Sequence, residues 1–458
     1  MDELDLIGAS PELGKALRTR HVAMISIGGI IGAGLFVGSS AAIATVGPAI
    51  IVSYTLAGLV VLMVMRMLGE MAVAYPRIGA FTEFARLGLG NWAGFTNGWL
   101  YWYFWVIVAA VEAIAGAKII HDWIPDIPVW LIGCGLLGLM TGVNLLSTGS
   151  FGEFEFWFAS IKVAAIIAFI LFGAIFLFGH DPVAHAQNLV ADRGFAPFGV
   201  TAVLSGVVTV IFALVGAEIA TIAAAESPEP ARTIANMTGS VVVRILLFYI
   251  GSIGIILMIV PWGQIHSGES PFTLALQVMN VSLASKLMTF VVLTAVLSCL
   301  NSAIYVTSRV LFTLSAKGDA PMALVKLNSR KVPARAILFG AVLSLAAVIC
   351  SVISADKVFA FLVNASGAIM LVVYMITAVA QIRLRLHLEK SAPERLAVRV
   401  WLFPAASIFA VLAMGGVIVA MTLIPDRAVE AWSSLIVVGV VLALYAVFRS
   451  GRGQPVER

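Results

Sequence analysis

From Val22 to Met65 the chain carries no Asp, Glu, Lys, Arg or His. A helix crosses the hydrocarbon core of a bilayer with ~20 apolar residues, so this run is long enough to cross twice. No soluble core has a use for so long an uncharged stretch, and in lipid each backbone N–H and C=O must be satisfied within the segment. Helices are then the fold available to it. The pattern repeats. Divided at charged, Pro and Gly clusters, the chain yields about twelve such segments by the same length rule. They fall near 22–46, 48–73, 93–120, 127–147, 154–178, 198–225, 235–260, 286–315, 334–354, 357–382, 400–424 and 429–448. The stretch 270–283, "SPFTLALQVMNVSL", is too short to span and reads as an extracellular or re-entrant helix.

Composition agrees with an all-α membrane protein. Of 458 residues, 61% are hydrophobic and 11% charged, against about a quarter charged in soluble domains. The net charge of +4 is too small for a nucleic-acid footprint and reflects where the basic residues sit. Cys134, Cys299 and Cys350 are scattered through apolar segments, which gives neither a disulfide framework nor a metal spacing. The first residues, "MDELDLIGASPELGKALRTR", have no short apolar core or cleavage site and are not read as a signal peptide. Lys and Arg set the orientation. With the N-terminus inside, roughly 19 basic residues fall in inner loops and about 5 outside, so both termini are expected in the cytoplasm.

The first segment contains "SIGGIIGAG" at 26–34, with glycines at 28, 29, 32 and 34. At 1.5 Å per residue these lie ~12 to 21 Å beyond Arg20, at the middle of the membrane. A GxxxG packing face formed by Gly28 and Gly32 is the plainer explanation, but four glycines exceed what close packing needs. The sixth segment decides between them. It reads "TVIFALVGAEIATIAAAES", with Gly216 about 15 Å from Glu226 by the same rise and an acid, Glu218, two positions on. Segment 1 runs outward and segment 6 inward, so a break in each is what an inverted repeat of two five-helix halves produces. Paired Gly-interrupted segments mark the binding site of such transporters. Where helix 1 restarts, free N–H groups from Ile31 to Gly34 suit a carboxylate. The carbonyl ends of the half-helices suit an ammonium. A zwitterion fits both, and the substrate class expected from the residues is an amino acid.

Several stretches carry a resemblance: "SIGGIIGAGLFVGS", "YPRIGAFTEFA", "GWLYWYFWVIVAAVEAIAG", "FGEFEFWFASIKV", "GAEIATIAAAESPEPARTI" and "SCLNSAIYVTSRVLFTLSAKGDAP". Together they resemble the amino acid–polyamine–organocation superfamily, and within it bacterial amino acid permeases of the gamma-aminobutyrate permease type. The likeness runs from about Leu17 to the last segment. It implies about twelve transmembrane helices, a five-plus-five inverted repeat with helices 1 and 6 broken, and proton-coupled uptake by alternating access. Carried over by position, it implies that Ile30, Ile31, Gly32, Ala33 and Gly34 bind the substrate carboxylate. Phe212 and the stretch Val215, Gly216 to Glu218 match the helix 6 aromatic and break. Lys162, in "ASIKVAAI", matches a lysine that stands where sodium-coupled relatives hold their ion, and it is the candidate for proton coupling.

Ionisable groups at depth each default to a function and a partner because of their insertion cost. Lys162 either titrates during the cycle or stays a fixed ammonium tethering helix 1 to helix 8. Glu218 either binds the amine through water, moves with the outer gate, or forms a structural pair with helix 1 or helix 3. Glu112 either faces the pocket or pairs with a polar group away from lipid. Arg66, Arg244 and Arg309 lie nearer helix ends and are read as snorkelling or as locks on the inner gate. Ser298 and Asn301 give helix 8 polar atoms expected to line the substrate path, while Cys299 is read as a core filler. The run Trp99 to Trp105 is read largely as an interfacial belt. The stretch 75–90, "YPRIGAFTEFARLGLG", joins helices 2 and 3 on the cytoplasmic side; it reads as an ordinary amphipathic loop, or as one whose charges pair with Glu70 and Arg77 when the inner gate shuts.

The expected organisation is a cytoplasmic segment at 1–20, an inverted-repeat transport core at 21–386, helices 11 and 12 at 387–448 and a cytoplasmic tail at 449–458. The expected function is a proton-coupled amino acid uptake permease of a bacterial inner membrane, carrying gamma-aminobutyrate or a related small amino acid. An exchanger on the same fold and a permease for neutral α-amino acids stay open. The partners are an amino acid, a proton and the lipid bilayer, with no nucleic acid, and the oligomeric state is not readable. No cofactor or metal is expected, the proton gradient being the energy source. The absence of a nucleotide motif, a His/Glu metal cluster or a Ser/His/Asp arrangement speaks against an enzyme.

Overall fold

The computed structural model describes residues 31–75, 82–146, 148–216, 218 and 245–451. The expected segments 1–20 and 452–458, residue Ile30, Arg77 and Arg244 lie outside them. Every one of the apolar segments carries helix. The first is α1 (Ala33–Phe36) and α2 (Gly38–Val46), then α3 (Ile50–Ala74) and a short linking helix α4 (Thr82–Leu89). Next come α5 (Asn91–His121), α6 (Val129–Leu146), α7 (Thr148–Gly179), the short α8 (Pro182–Ala186) and α9 (Gly199–Leu214). A π-helical turn at Ile245–Gly251 leads into α10 (Ser252–Ile259), and the short stretch near 270 becomes α11 (Pro271–Val278). The remainder is α12 (Ser282–Ala316), α13 (Ala334–Ile349), α14 (Ala355–Ser391), α15 (Ala405–Leu423) and α16 (Pro425–Gly451).

The protein is an all-α membrane protein. Among the described residues nine helical stretches are long and apolar enough to span by themselves. The sixth and seventh segments appear as shorter apolar helices, Gly199–Leu214 and Leu246–Ile259. The sixth is short because its helix stops. Val215 is extended (φ −67°, ψ 150°) and Gly216 has φ +110°, a conformation that resists any L side chain.

The helix α5 forms the axis of the bundle, packed against α4, α6, α12, α13 and α14. The apolar window of α5 is 78% buried, whereas that of α16 is 17% buried and faces outward. This central position changes the reading of the aromatic run. Tyr101, Trp102, Phe104 and Trp105 are buried among helices instead of lying in an interfacial belt. Half-exposed apolar side chains such as Trp157, Phe178 and Trp432 cover the outside, as lipid requires.

Each end of the bundle is tied by charge. At the end that the basic residues assign to the cytoplasm, Glu70 of α3 is buried and paired with Arg385 of α14. The same carboxylate accepts from Gln381 Nε2 at 2.7 Å and from the Val400 N–H at 2.7 Å. The Arg385 guanidinium also meets Glu389 at 2.8 Å and lies over the Phe403 ring. Nearby, Arg86 of α4 bridges Glu83 and Asp319, and Lys317 reaches Glu83 at 3.8 Å. Burial acts to lower the Arg86 pKa, but Glu83 and Asp319 override it and raise it. Arg66 donates to the Arg399 carbonyl and lies over Trp401, and Arg309 lies over Tyr305 of its own helix. At the opposite end Lys118 of α5 pairs with Asp356 of α14, and the Gly268 N–H donates to Ser40 of α2 at 3.0 Å.

Breaking one side of a buried pair leaves a charge without a partner, at a cost of about 3–5 kcal/mol. Glu70→Ala should therefore lower the melting temperature in detergent clearly. The double variant Glu70→Ala/Arg385→Met should cost less than the sum of the singles, a coupling that a double-mutant cycle reads.

Candidate functional site

The chain enters α1 through extended backbone at Gly32 (φ −135°, ψ −152°). The first N–H of the helix, that of Ala33, meets the carboxylate of Glu112, with both Oε1 and Oε2 at 3.0 Å. Glu112 comes from the middle of α5 and is buried. The Cys299 thiol of α12 hydrogen-bonds to the same carboxylate, and the charge of Lys162 acts on it. Close approach explains Gly32. A Cβ there would stand 2.6 Å from Glu112 Oε1 and 2.7 Å from Cys299 Cβ. Gly34 is needed for another reason: its Cβ would stand 2.7 Å from Ala213 Cα, so it sets how closely α1 crosses α9.

These residues enclose a narrow cavity lined by Gly32, Gly34, Phe104, Trp105, Phe212 and Glu112, with Val108, Ala213, Val215 and Cys299 completing the wall. It has room for roughly one water. Phe104 and Phe212 meet in a tilted contact at 6.1 Å, and Trp105 stands edge-on to Phe104 and to Tyr101. Glu112 is the one carboxylate in a wall otherwise made of backbone, aromatic rings, aliphatic groups and a thiol. Such a cavity can desolvate a small molecule and offer it an anion, a ring face and main-chain polar groups.

The second break carries its own acid. Glu218 Oε2 accepts from the Gly216 N–H at 2.9 Å and from Tyr374 Oη of α14 at 3.2 Å, and Oε1 accepts from Tyr101 Oη of α5 at 3.0 Å. Tyr249 Oη donates to the Ala213 carbonyl at 2.8 Å, beside the same break. Glu218 thus joins the break to α5 and α14, and it does not line the cavity.

Lys162 is also set apart from the cavity. Its Nζ donates to Ser298 Oγ at 2.8 Å, and that hydroxyl donates to Glu155 Oε1 at 2.7 Å. Nζ and Glu155 Oε1 are 3.8 Å apart, with both side chains fully buried. Asn301 turns toward α6, where its Oδ1 accepts from Asn144 Nδ2 at 2.8 Å.

Of the residues singled out from the sequence, the fold gathers Gly32, Gly34, Glu112, Phe212 and Val215 around one cavity, with Ala33 in hydrogen-bond contact with Glu112. Ile31 is buried beside them, Gly216 and Glu218 form the adjoining break, and Ser298 and Asn301 belong to polar contacts on α7 and α6. Ile30 lies outside the described residues. Sequence reasoning passed over Glu155 and Tyr374, and it read Tyr101, Phe104 and Trp105 as part of an interfacial belt. Glu155 had a usable signal, since it precedes Lys162 by seven residues and so shares its helix face. The tyrosines had none, because their partner is fixed by tertiary packing.

Residues 21–451 match the family model described as Amino acid permease. The chain is 48% identical over 440 residues to the gamma-aminobutyric acid permease of Bacillus subtilis, covering 95% of this chain and 94% of that one. It is 43% identical to the gamma-aminobutyric acid permease of Escherichia coli, covering 94% and 93%. It is 36% identical to the aromatic amino acid transport protein AroP of Salmonella typhimurium, covering 92% of each. The chain belongs to the amino acid permease family. Membership of this family makes amino acid uptake across a membrane the activity of the chain.

The permease needs three glycines here for separate reasons, which separates their variants. Gly32→Ala should weaken amino acid binding by about tenfold or more, near 1.4 kcal/mol, with the detergent-solubilised monodisperse protein retained. Gly216→Ala forces a side chain into a positive φ and should cost about 1–2 kcal/mol of stability, read as a lower melting temperature.

Proposed function

We propose that this permease is a proton-coupled symporter that takes up gamma-aminobutyrate or a closely related small amino acid, with both termini in the cytoplasm of a bacterial inner membrane. The observation that carries the substrate is the gradient of similarity, 48% and 43% to gamma-aminobutyric acid permeases against 36% to an aromatic amino acid transporter. The cavity supports it in physical terms. Phe104, Trp105 and Phe212 take up the width that an aromatic side chain on the substrate would need. Glu112 and the ring faces suit an ammonium. The Ala33 N–H takes carboxylate oxygens, as its bond to Glu112 illustrates.

Coupling to protons is supported by Lys162. A buried ammonium stands on the helix next to α12, bound to one hydroxyl and near one carboxylate. The hydroxyl and the carboxylate give this lysine partners through which a proton can pass. In this reading Ile30, Ile31, Gly32, Ala33, Gly34, Glu112, Phe212 and Val215 hold substrate. Gly216 and Glu218 set the hinge of the sixth segment, with Ser298 and Asn301 on the coupling side.

In proteoliposomes with an inside-alkaline pH gradient, unlabelled gamma-aminobutyrate should compete fully with labelled gamma-aminobutyrate, and phenylalanine should not. Competition by phenylalanine at equal concentration would overturn the substrate. Lys162→Ala should lose gradient-driven accumulation, and unchanged accumulation would remove its coupling role. Stimulation by internal substrate with no response to the gradient in the wild type would instead make the protein an exchanger.

A further inference from the structure

The contacts of Ser298 give the buried Lys162 a defined route for its proton. Its hydroxyl accepts from Lys162 Nζ at 2.8 Å and donates to Glu155 Oε1 at 2.7 Å, so one oxygen lies in line between an acid and a base. The three side chains are fully buried. Glu155 and Lys162 are separated by seven residues, ~10.5 Å along the helix axis, yet their charged ends come to 3.8 Å because both lean to the same hydroxyl on α12. The second oxygen of Glu155, Oε2, has no hydrogen-bond partner among the described residues. That oxygen is an open acceptor beside the one already bound to Ser298. One turn further along α12, toward the end carrying Glu70, Asn301 Nδ2 and Ser302 Oγ are also buried and without a partner there. The polar atoms therefore continue from Glu155 toward the end that the basic residues assign to the cytoplasm.

We propose that Glu155 is the acceptor of the transported proton and that Ser298 relays it from Lys162. This rests on the proton-coupled reading of Lys162. In the step, an N–H bond of the Lys162 ammonium breaks and its proton bonds to Ser298 Oγ. The O–H bond that Ser298 held breaks, and that proton bonds to Glu155 Oε1. The hydroxyl is regenerated, the ammonium becomes an amine and the carboxylate becomes a carboxylic acid. One buried charge pair is thereby exchanged for two neutral groups, which removes the desolvation cost of both ions while the helices rearrange. Glu155 then releases the proton to water when its end of the bundle opens, and the Lys162 amine takes the next proton from the other side. The titratable neighbours of this pair include Cys299 on α12 and Glu112 on α5, both within the electrostatic reach of Lys162, and Glu153 two residues before Glu155 on α7. Cys299 and Glu112 hydrogen-bond to one another and form the part of the cavity wall that lies next to the relay.

The test uses full-length protein in proteoliposomes and labelled gamma-aminobutyrate, with gradient-driven accumulation and substrate counterflow measured side by side. Glu155→Gln keeps the shape of the side chain and cannot bind the proton as an acid. Its accumulation should fall about tenfold or more, the scale set by loss of a positioned proton acceptor, while counterflow continues. Normal accumulation in Glu155→Gln overturns the proposal and leaves Lys162 coupled by another route. Loss of counterflow together with accumulation makes Glu155 a structural partner and also overturns it. Ser298→Thr and Ser298→Val, which share a shape and differ in the hydroxyl, give an independent check. The relay requires Thr to accumulate several-fold more than Val at matched counterflow, and equal accumulation refutes it. A wild type that shows counterflow without response to the gradient refutes the proton-coupled reading itself, an outcome distinct from all of these.

Discussion

A backbone N–H exposed in the middle of a membrane must find an acceptor, and the two helix breaks of this permease each find a carboxylate. At the first break Glu112 reaches the Ala33 N–H from α5. At the second, Glu218 reaches back to the Gly216 N–H two residues away. The two solutions differ in what they connect. Glu112 brings the wall of the cavity onto the start of α1, whereas Glu218 is held off the cavity by Tyr101 and Tyr374. Both depend on α5, which carries Glu112 and Tyr101 about three turns apart on one helix. The central burial of α5 follows from that double duty, since it must reach both breaks at once.

Polar chemistry is divided into compartments by helix packing. The cavity holds Glu112, Cys299 and aromatic rings, the α7–α12 contact holds Glu155, Ser298 and Lys162, and the ion pairs sit at the ends. A charge in a low-dielectric interior acts strongly on whatever lies within a few ångströms, so separate compartments keep the end-locking pairs from perturbing the middle. Glu70 shows how complete such a site must be. It meets Arg385, Gln381 and a backbone N–H, and Ser407 in turn donates to Gln381 at 2.9 Å. Three elements, α3, α14 and α15, are fixed by one carboxylate and its amide neighbour.

Fold class was legible because lipid imposes a length and a composition that no other environment does. The break in the sixth segment was legible for a local reason, as Gly216 takes a φ that glycine alone accepts readily. What sequence left unreadable was direction. Ser298 and Asn301 lie three residues apart on α12 and were expected together on the substrate path, but one faces α7 and the other α6. The aromatic run was placed at the interface from its position near a helix end, and packing put Tyr101, Trp102, Phe104 and Trp105 inside. Glu155 was overlooked because it begins a segment, where a charge ordinarily reaches water. Its burial comes from α12 lying across it, and the seven-residue spacing to Lys162 was the trace of that in the sequence.

The glycines of the first segment show why composition alone misleads at a site. Gly32 and Gly34 stand two residues apart and answer to different neighbours. The first yields space to a carboxylate and a cysteine. The second yields space to the backbone of α9, so that the cavity wall is formed by Ala213 and Phe212 at close range. Neither has a positive φ in the structure, so at these two positions it is the missing side chain, and not the freedom of the backbone, that matters. At Gly216 the reverse holds. The paired glycine-interrupted segments thus resolve into two close approaches on one helix and one positive-φ turn on another. The narrow space at the cavity is made by removing β-carbons where helices cross.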